Sequence, residues 1–173
     1  GKWGLGAPHS EGVPNRQGFD YFYGYNCQRQ AHNLYPTHLW ENESRVYLQN
    51  ELQAPHVLHE QAPDQADSTF FNHFIQQDYA PELMQERALN FVRNHKEEPF
   101  FLYYASPLPH VPLQAPQRWV DHYREKIGEE ETYRGKAYFP SQYPMATYAA
   151  MISYLDEQVG ELVAELKELG LYE

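Results

Sequence analysis

A chain of 173 residues is long enough for one domain with its own core, since domains run to ~100–200 residues. Its 42% hydrophobic and 21% charged residues describe a globular polypeptide, and no apolar run approaches the ~18 residues of a membrane span. The net charge of −11 argues against a nucleic-acid backbone or an anionic membrane as main partner, but an anionic small substrate is still allowed wherever cations or donors gather locally.

Residues 1–80 are rich in Gly, Pro, Asn, His and Tyr, with short apolar stretches at 19–25 and 45–48, so they read as loops and short strands. Within them "WENESRVYL" at 40–48 predicts two short strands around an Asn42-Glu43-Ser44 turn. The same three residues match a glycosylation sequon, which matters only in a secreted eukaryotic protein. From Pro81 the spacing turns helical: Met84, Ala88, Phe91 and Val92 share a face, and the helix should stop near His95. Residues 100–105, "FFLYYA", form an apolar run too short for a helix, which predicts a strand buried on both faces as in a parallel sheet. Pro107, Pro109 and Pro112 then forbid regular structure, so His110 should sit on a stiff loop past the strand.

A polar connection with a short helix near Trp119 to Lys126 follows. The last element is a helix over about 146–169, with Tyr148, Met151, Ile152, Leu155, Val159, Leu162, Val163 and Leu166 as its apolar stripe and Gly170 as its stop. Helix, buried strand, helix is an α/β signature.

Chemistry-bearing residues are few. "GKWGLG" at 1–6 fails as a phosphate-binding loop, because its glycines are in the wrong register and Trp3 follows Lys2 where Ser or Thr is needed. An isolated Lys2 would be an ordinary surface charge. "PLPHVPL" supplies company, since ligands of open α/β sheets bind outside the carboxyl ends of strands, where a proline-braced His110 could transfer a proton near neutral pH. "QAHNLYP" could line a pocket through His32, Asn33 and Tyr35, or could be a hydrogen-bonded turn. His56 and His59 have a His-x-x-His spacing but lack the Glu and the helix of a zinc-protease motif. The single cysteine, Cys27, makes neither an internal disulfide nor a thiolate metal site.

Taken in order, four segments resemble the sulfatase family of the alkaline phosphatase superfamily. "GKWGLG" is similar to its second signature and "PNRQGFDYFYGY" at 14–25 to the stretch after it. "FFLYYASPLPHVPL" at 100–113 resembles its strand and histidine loop, and 148–173 the helix leading to a strand that bears Asp-Asn metal ligands. The resemblance implies the central part of an alkaline-phosphatase-like sheet sandwiched by helices, incomplete in this chain. Residues 1–80 would be its active-site loops and 81–173 its helix-strand-helix part. It implies hydrolysis of a sulfate ester, of a small molecule or a glycan, in the periplasm or outside the cell.

The resemblance also implies Lys2 and His110 as catalytic residues, Lys2 on the sulfate and nucleophile and His110 near the bridging oxygen. His9, Gln28, His32 and Asn33 are further substrate-binding candidates. The family uses calcium and a formylglycine made from Cys or Ser before x-Pro-x-Arg. Cys27 precedes Gln28-Arg29-Gln30, so the nucleophile and the metal ligands are both expected outside this chain, and the chain alone should be inactive. Gly4 stands where the signature often carries His, with His9 a candidate substitute. Competing readings are a phosphatase or phosphodiesterase of the same fold and a non-catalytic carbohydrate-binding module built on the many Tyr and Trp residues.

Overall fold

The computed structural model describes residues 1–54, 62 and 67–172; His56 and His59 lie outside the described residues. Strands β1 (Tyr23–Gly24), β2 (His38–Glu41) and β3 (Ser44–Tyr47) form an antiparallel sheet in the order β1-β2-β3. The expected hairpin is present, one residue tighter than read, because Ser44 already pairs with Glu41 and only Asn42 and Glu43 turn. Asn42 takes the positive φ of 53° that this turn needs, and its Oδ1 accepts from Phe22 N and Asn15 Nδ2, each at 3.0 Å.

Four helices complete the described fold: α1 (Ser68–Asn72), α2 (Ala80–Asn94), α3 (Gln117–Ile127) and α4 (Pro144–Glu168). The first was not anticipated, although Asp67 caps it by accepting from Thr69 N and Phe70 N, a signature readable in the sequence. The second matches its periodicity: Met84, Ala88 and Val92 are buried, and with Ala80 this helix packs on Tyr23, Tyr25, Ala31 and Leu39. The loop-rich first half therefore gains its core by covering one helix of the second.

Two expectations are corrected. Residues 100–105 form no strand, and Phe101 and Tyr103 are 76% and 61% exposed rather than buried. Among the described residues the ladder bond to this segment is a single one, from Lys2 N to Ala105 O, so it is not built into the sheet, and the face that Phe101 and Tyr103 present lacks the covering layer that a doubly buried strand requires.

The stripe of α4 is also rotated. Its buried face is Ala146, Thr147, Ala150, Met151, Tyr154, Gln158 and Leu162, whereas Tyr148, Ile152 and Val159 remain 48%, 45% and 46% exposed. The reason is that α2 and α3 both pack on the flank marked by Gln158 and Tyr154. Gln85 Nε2 donates to Gln158 O and Gln158 Nε2 to Pro81 O, each at 2.8 Å, while Glu157 accepts from Trp119 Nε1 at 2.6 Å. Gly170, at φ 70°, ends the helix as expected, with Leu171 N donating back to Leu166 O at 2.8 Å.

Candidate active site

Lys2 is fixed by its backbone on both sides. Tyr25 N donates to Gly1 O and Trp3 N to Tyr25 O, both at 2.9 Å, as a parallel bridge between Lys2 and Tyr25; on the opposite edge Lys2 N donates to Ala105 O at 2.8 Å. The approach is close enough to demand glycine opposite: a Cβ on Gly24, whose φ is 147°, would lie 1.9 Å from Gly1 O. Trp3 Nε1 anchors the next residue by donating to Gly12 O at 2.7 Å. No ion pair among the described residues includes the half-buried Lys2, so its ammonium has no protein carboxylate there to neutralise it.

His110 is exposed on the loop that follows Ala105, between buried Leu108 and buried Pro112, and the bonds Leu108–Pro109 and Val111–Pro112 are both cis. Its Nδ1 is 2.7 Å from Val111 O. A carbonyl only accepts, so Nδ1 carries the proton and Nε2 is the nitrogen left to meet a ligand. The ring lies flat on His32, with centroids 4.6 Å apart and planes 5° from parallel. Tyr138 meets both rings edge-on, at 5.7 Å from His32 and 6.3 Å from His110.

Gln114 holds the two histidine loops together. Its Oε1 accepts from Leu34 N at 2.9 Å, two residues past His32, its Nε2 donates to Phe74 O at 2.6 Å, and its own carbonyl accepts from Tyr79 Oη at 2.7 Å. Burial pushes the Tyr79 and Tyr25 phenols well above their ordinary range, so both stay protonated donors. Tyr25 Oη donates to Asn33 O at 2.6 Å, pinning the residue after His32.

The other candidates are dispersed. Asn33 is 3% exposed, and its side chain is spent on the backbone, Oδ1 accepting from Tyr35 N at 2.9 Å and Nδ2 donating to Gln53 O at 3.0 Å. His9 turns to the hairpin, with Nδ1 3.2 Å from Glu43 Oε2 and its ring edge-on to Trp40. Gln28 is exposed beside Gly4, where a Cβ on the glycine would come within 3.1 Å of Gln28 Cβ. Gly4 has a φ of +83°, a conformation that a histidine would adopt only under strain, so the common His of the signature does not suit this backbone.

Three residues went unrecognised in the sequence. Tyr138 and Gln114 carry no local signal, because they act through distant partners. Asn26 is 1% exposed with neither amide atom hydrogen-bonded among the described residues, and its carbonyl accepts from Gly4 N at 3.0 Å. Such an amide is costly to leave unpaired.

The sulfatase family model matches residues 1–173. The chain belongs to the sulfatase family. It is 30% identical to mouse arylsulfatase J over 184 residues, covering 99% of this chain and 24% of that protein. To the arylsulfatase of Klebsiella aerogenes it is 31% identical over 108 residues, covering 43% of this chain and 23% of the other. The crystal structure of Ps i-CgsB, and that of Ps i-CgsB in complex with k-i-k-neocarrahexaose, each superpose with a TM-score of 0.64 at 25% identity, covering 99% of this chain and 33% of theirs. The match to this sulfatase chain thus covers about a quarter to a third of the length of the curated relatives.

Proposed function

We propose that the chain is one part of a sulfuric ester hydrolase that releases sulfate from sulfated carbohydrates, in the periplasm or outside the cell. The observation that carries this reading is the bond from Lys2 N to Ala105 O, which lays the lysine signature against the segment leading to His110. Family membership over the whole chain and the oligosaccharide complex of Ps i-CgsB support it. No helix among the described residues is long and apolar enough to cross a membrane.

In this reading the Lys2 ammonium meets the sulfate, and its fixed backbone makes the charge preorganised rather than reoriented during the reaction. His110 faces the bridging oxygen with Nε2. Because Nδ1 already donates to Val111 O, Nε2 can donate to a departing alkoxide only when the ring is an imidazolium, and transfer of that proton yields the alcohol.

In the family, formylglycine supplies the attacking oxygen and calcium the charge that holds the sulfate. Neither fits here: Cys27 is followed by Gln28, and no three His, Cys, Asp or Glu side chains among the described residues form a metal-holding group. We therefore assign both to sequence outside this chain and derive no step through either.

The test is hydrolysis of an aryl sulfate by the full-length protein and by the isolated 173-residue chain, each with calcium. Turnover by the full-length protein alone supports the reading. Turnover of an aryl phosphate in place of the sulfate would move the chemistry to a phosphatase, and turnover by the isolated chain would overturn the division of the site.

A further inference from the structure

We infer that His32 is a positioning residue for His110, serving as an aromatic platform that holds the imidazole in one orientation. The inference rests on the proposed reaction, but its physical content is independent of turnover.

His110 is exposed and has, among the described residues, one side-chain hydrogen bond, to Val111 O at 2.7 Å. A single bond at one nitrogen leaves the ring free to swing about its side-chain torsions. The second constraint is His32, whose ring covers one face at 4.6 Å and 5°. Two surfaces and one directional bond together specify where Nε2 lies: His32 fixes the ring plane, Tyr138 closes the edge, and Val111 O fixes the rotation within the plane.

The platform is itself held. His32 ends a short helical turn (Gln30–His32), and the next two residues are tied down by Tyr25 Oη on Asn33 O and by Gln114 Oε1 on Leu34 N. Gln114 belongs to the loop that carries His110, so platform and ring are referenced to one another rather than to separate parts of the fold.

A leaving-group acid acts only from a fixed position, and the stack supplies that position. Among the described residues, the titratable side chains whose rings meet His110 are His32 on its face and Tyr138 at its edge, and no ion pair there includes it.

Two substitutions in the full-length protein separate the platform from mere packing. His32→Phe keeps a ring of similar size, and His32→Leu fills the space without one; both lose the ring nitrogens equally. Misplacing a reacting group by ~1 Å costs up to ~100-fold. The expected result is a kcat lowered about ten- to a hundred-fold by His32→Leu with KM little changed, and restored to within a few-fold by His32→Phe.

Nitrogen-15 NMR of the His110 ring reads the same question without turnover. Wild type and His32→Phe should show a single Nδ1–H tautomer in the neutral form, and His32→Leu an averaged one. Equal kcat loss in both variants, or a His110 spectrum unchanged by His32→Leu, would overturn the platform. If the wild type releases no sulfate, the proposed function fails, and the NMR comparison alone decides the inference.

Discussion

Replacing Gln114 by Leu tests the joint that brings the two histidine loops together. The glutamine is 3% exposed and its side chain makes two bonds, from Leu34 N at 2.9 Å and to Phe74 O at 2.6 Å. Losing the second removes about 1 kcal/mol, the net worth of a neutral hydrogen bond. Losing the first leaves the Leu34 N–H without its acceptor in a residue that is 0% exposed, a penalty of about 1–3 kcal/mol. Leucine returns about 1 kcal/mol through its greater apolar burial, so the net destabilisation should be about 1–3 kcal/mol. The bond from Tyr79 Oη goes to the Gln114 carbonyl and survives the change, which confines the effect to the joint. Urea unfolding of the full-length protein with an unchanged m-value gives the difference directly. A change below about 0.5 kcal/mol, the scale of a neutral surface substitution, would refute the assignment of Gln114 as the joint.

The remaining predictions concern the site and its supports. Lys2→Ala and His110→Ala should each lower kcat by ~100- to 1,000-fold while moving the unfolding midpoint little, because Lys2 is anchored by main-chain bonds and His110 is exposed; steady-state kinetics paired with thermal unfolding checks this. Gly24→Ala would put a Cβ 1.9 Å from Gly1 O and push the lysine segment off its ladder, so soluble yield and melting temperature should fall sharply; a near-native melting curve would contradict the ladder. Gly4→His should not restore a missing catalytic group: with φ at +83° and Gln28 Cβ 3.1 Å from the new Cβ, it should cost about 1–2 kcal/mol and leave kcat no higher than wild type, as unfolding and kinetic assays would show.

What was legible in the sequence is what local pattern controls. Met84, Ala88 and Val92 share one face of α2 because helical spacing and burial agree there, and Gly170 ends α4 because only a left-handed residue closes that turn. The family likeness was legible too, carried by "GKWGLG" and "PLPHVPL".

Long-range partners were not legible. The run at 100–105 has the composition of a doubly covered strand, but composition cannot say whether covering layers are present, and here Phe101 and Tyr103 face outwards. Hydrophobicity alone defines the α4 stripe in the sequence, whereas the polar Gln158 side chain is fully buried because Nε2 donates to Pro81 O and Oε1 accepts from Tyr104 Oη. The His32–His110 stack is held by bonds between residues distant in sequence, Gln114 to Leu34 and Tyr25 to Asn33, which leave no periodicity to read.

The most direct measurement is sulfate release from a sulfated oligosaccharide by the full-length protein, quantified by ion chromatography beside its Lys2→Ala and His110→Ala variants. The account predicts inorganic sulfate from the wild type and its near loss in both variants. Wild-type protein that frees no sulfate, or variants that free it undiminished, would contradict it.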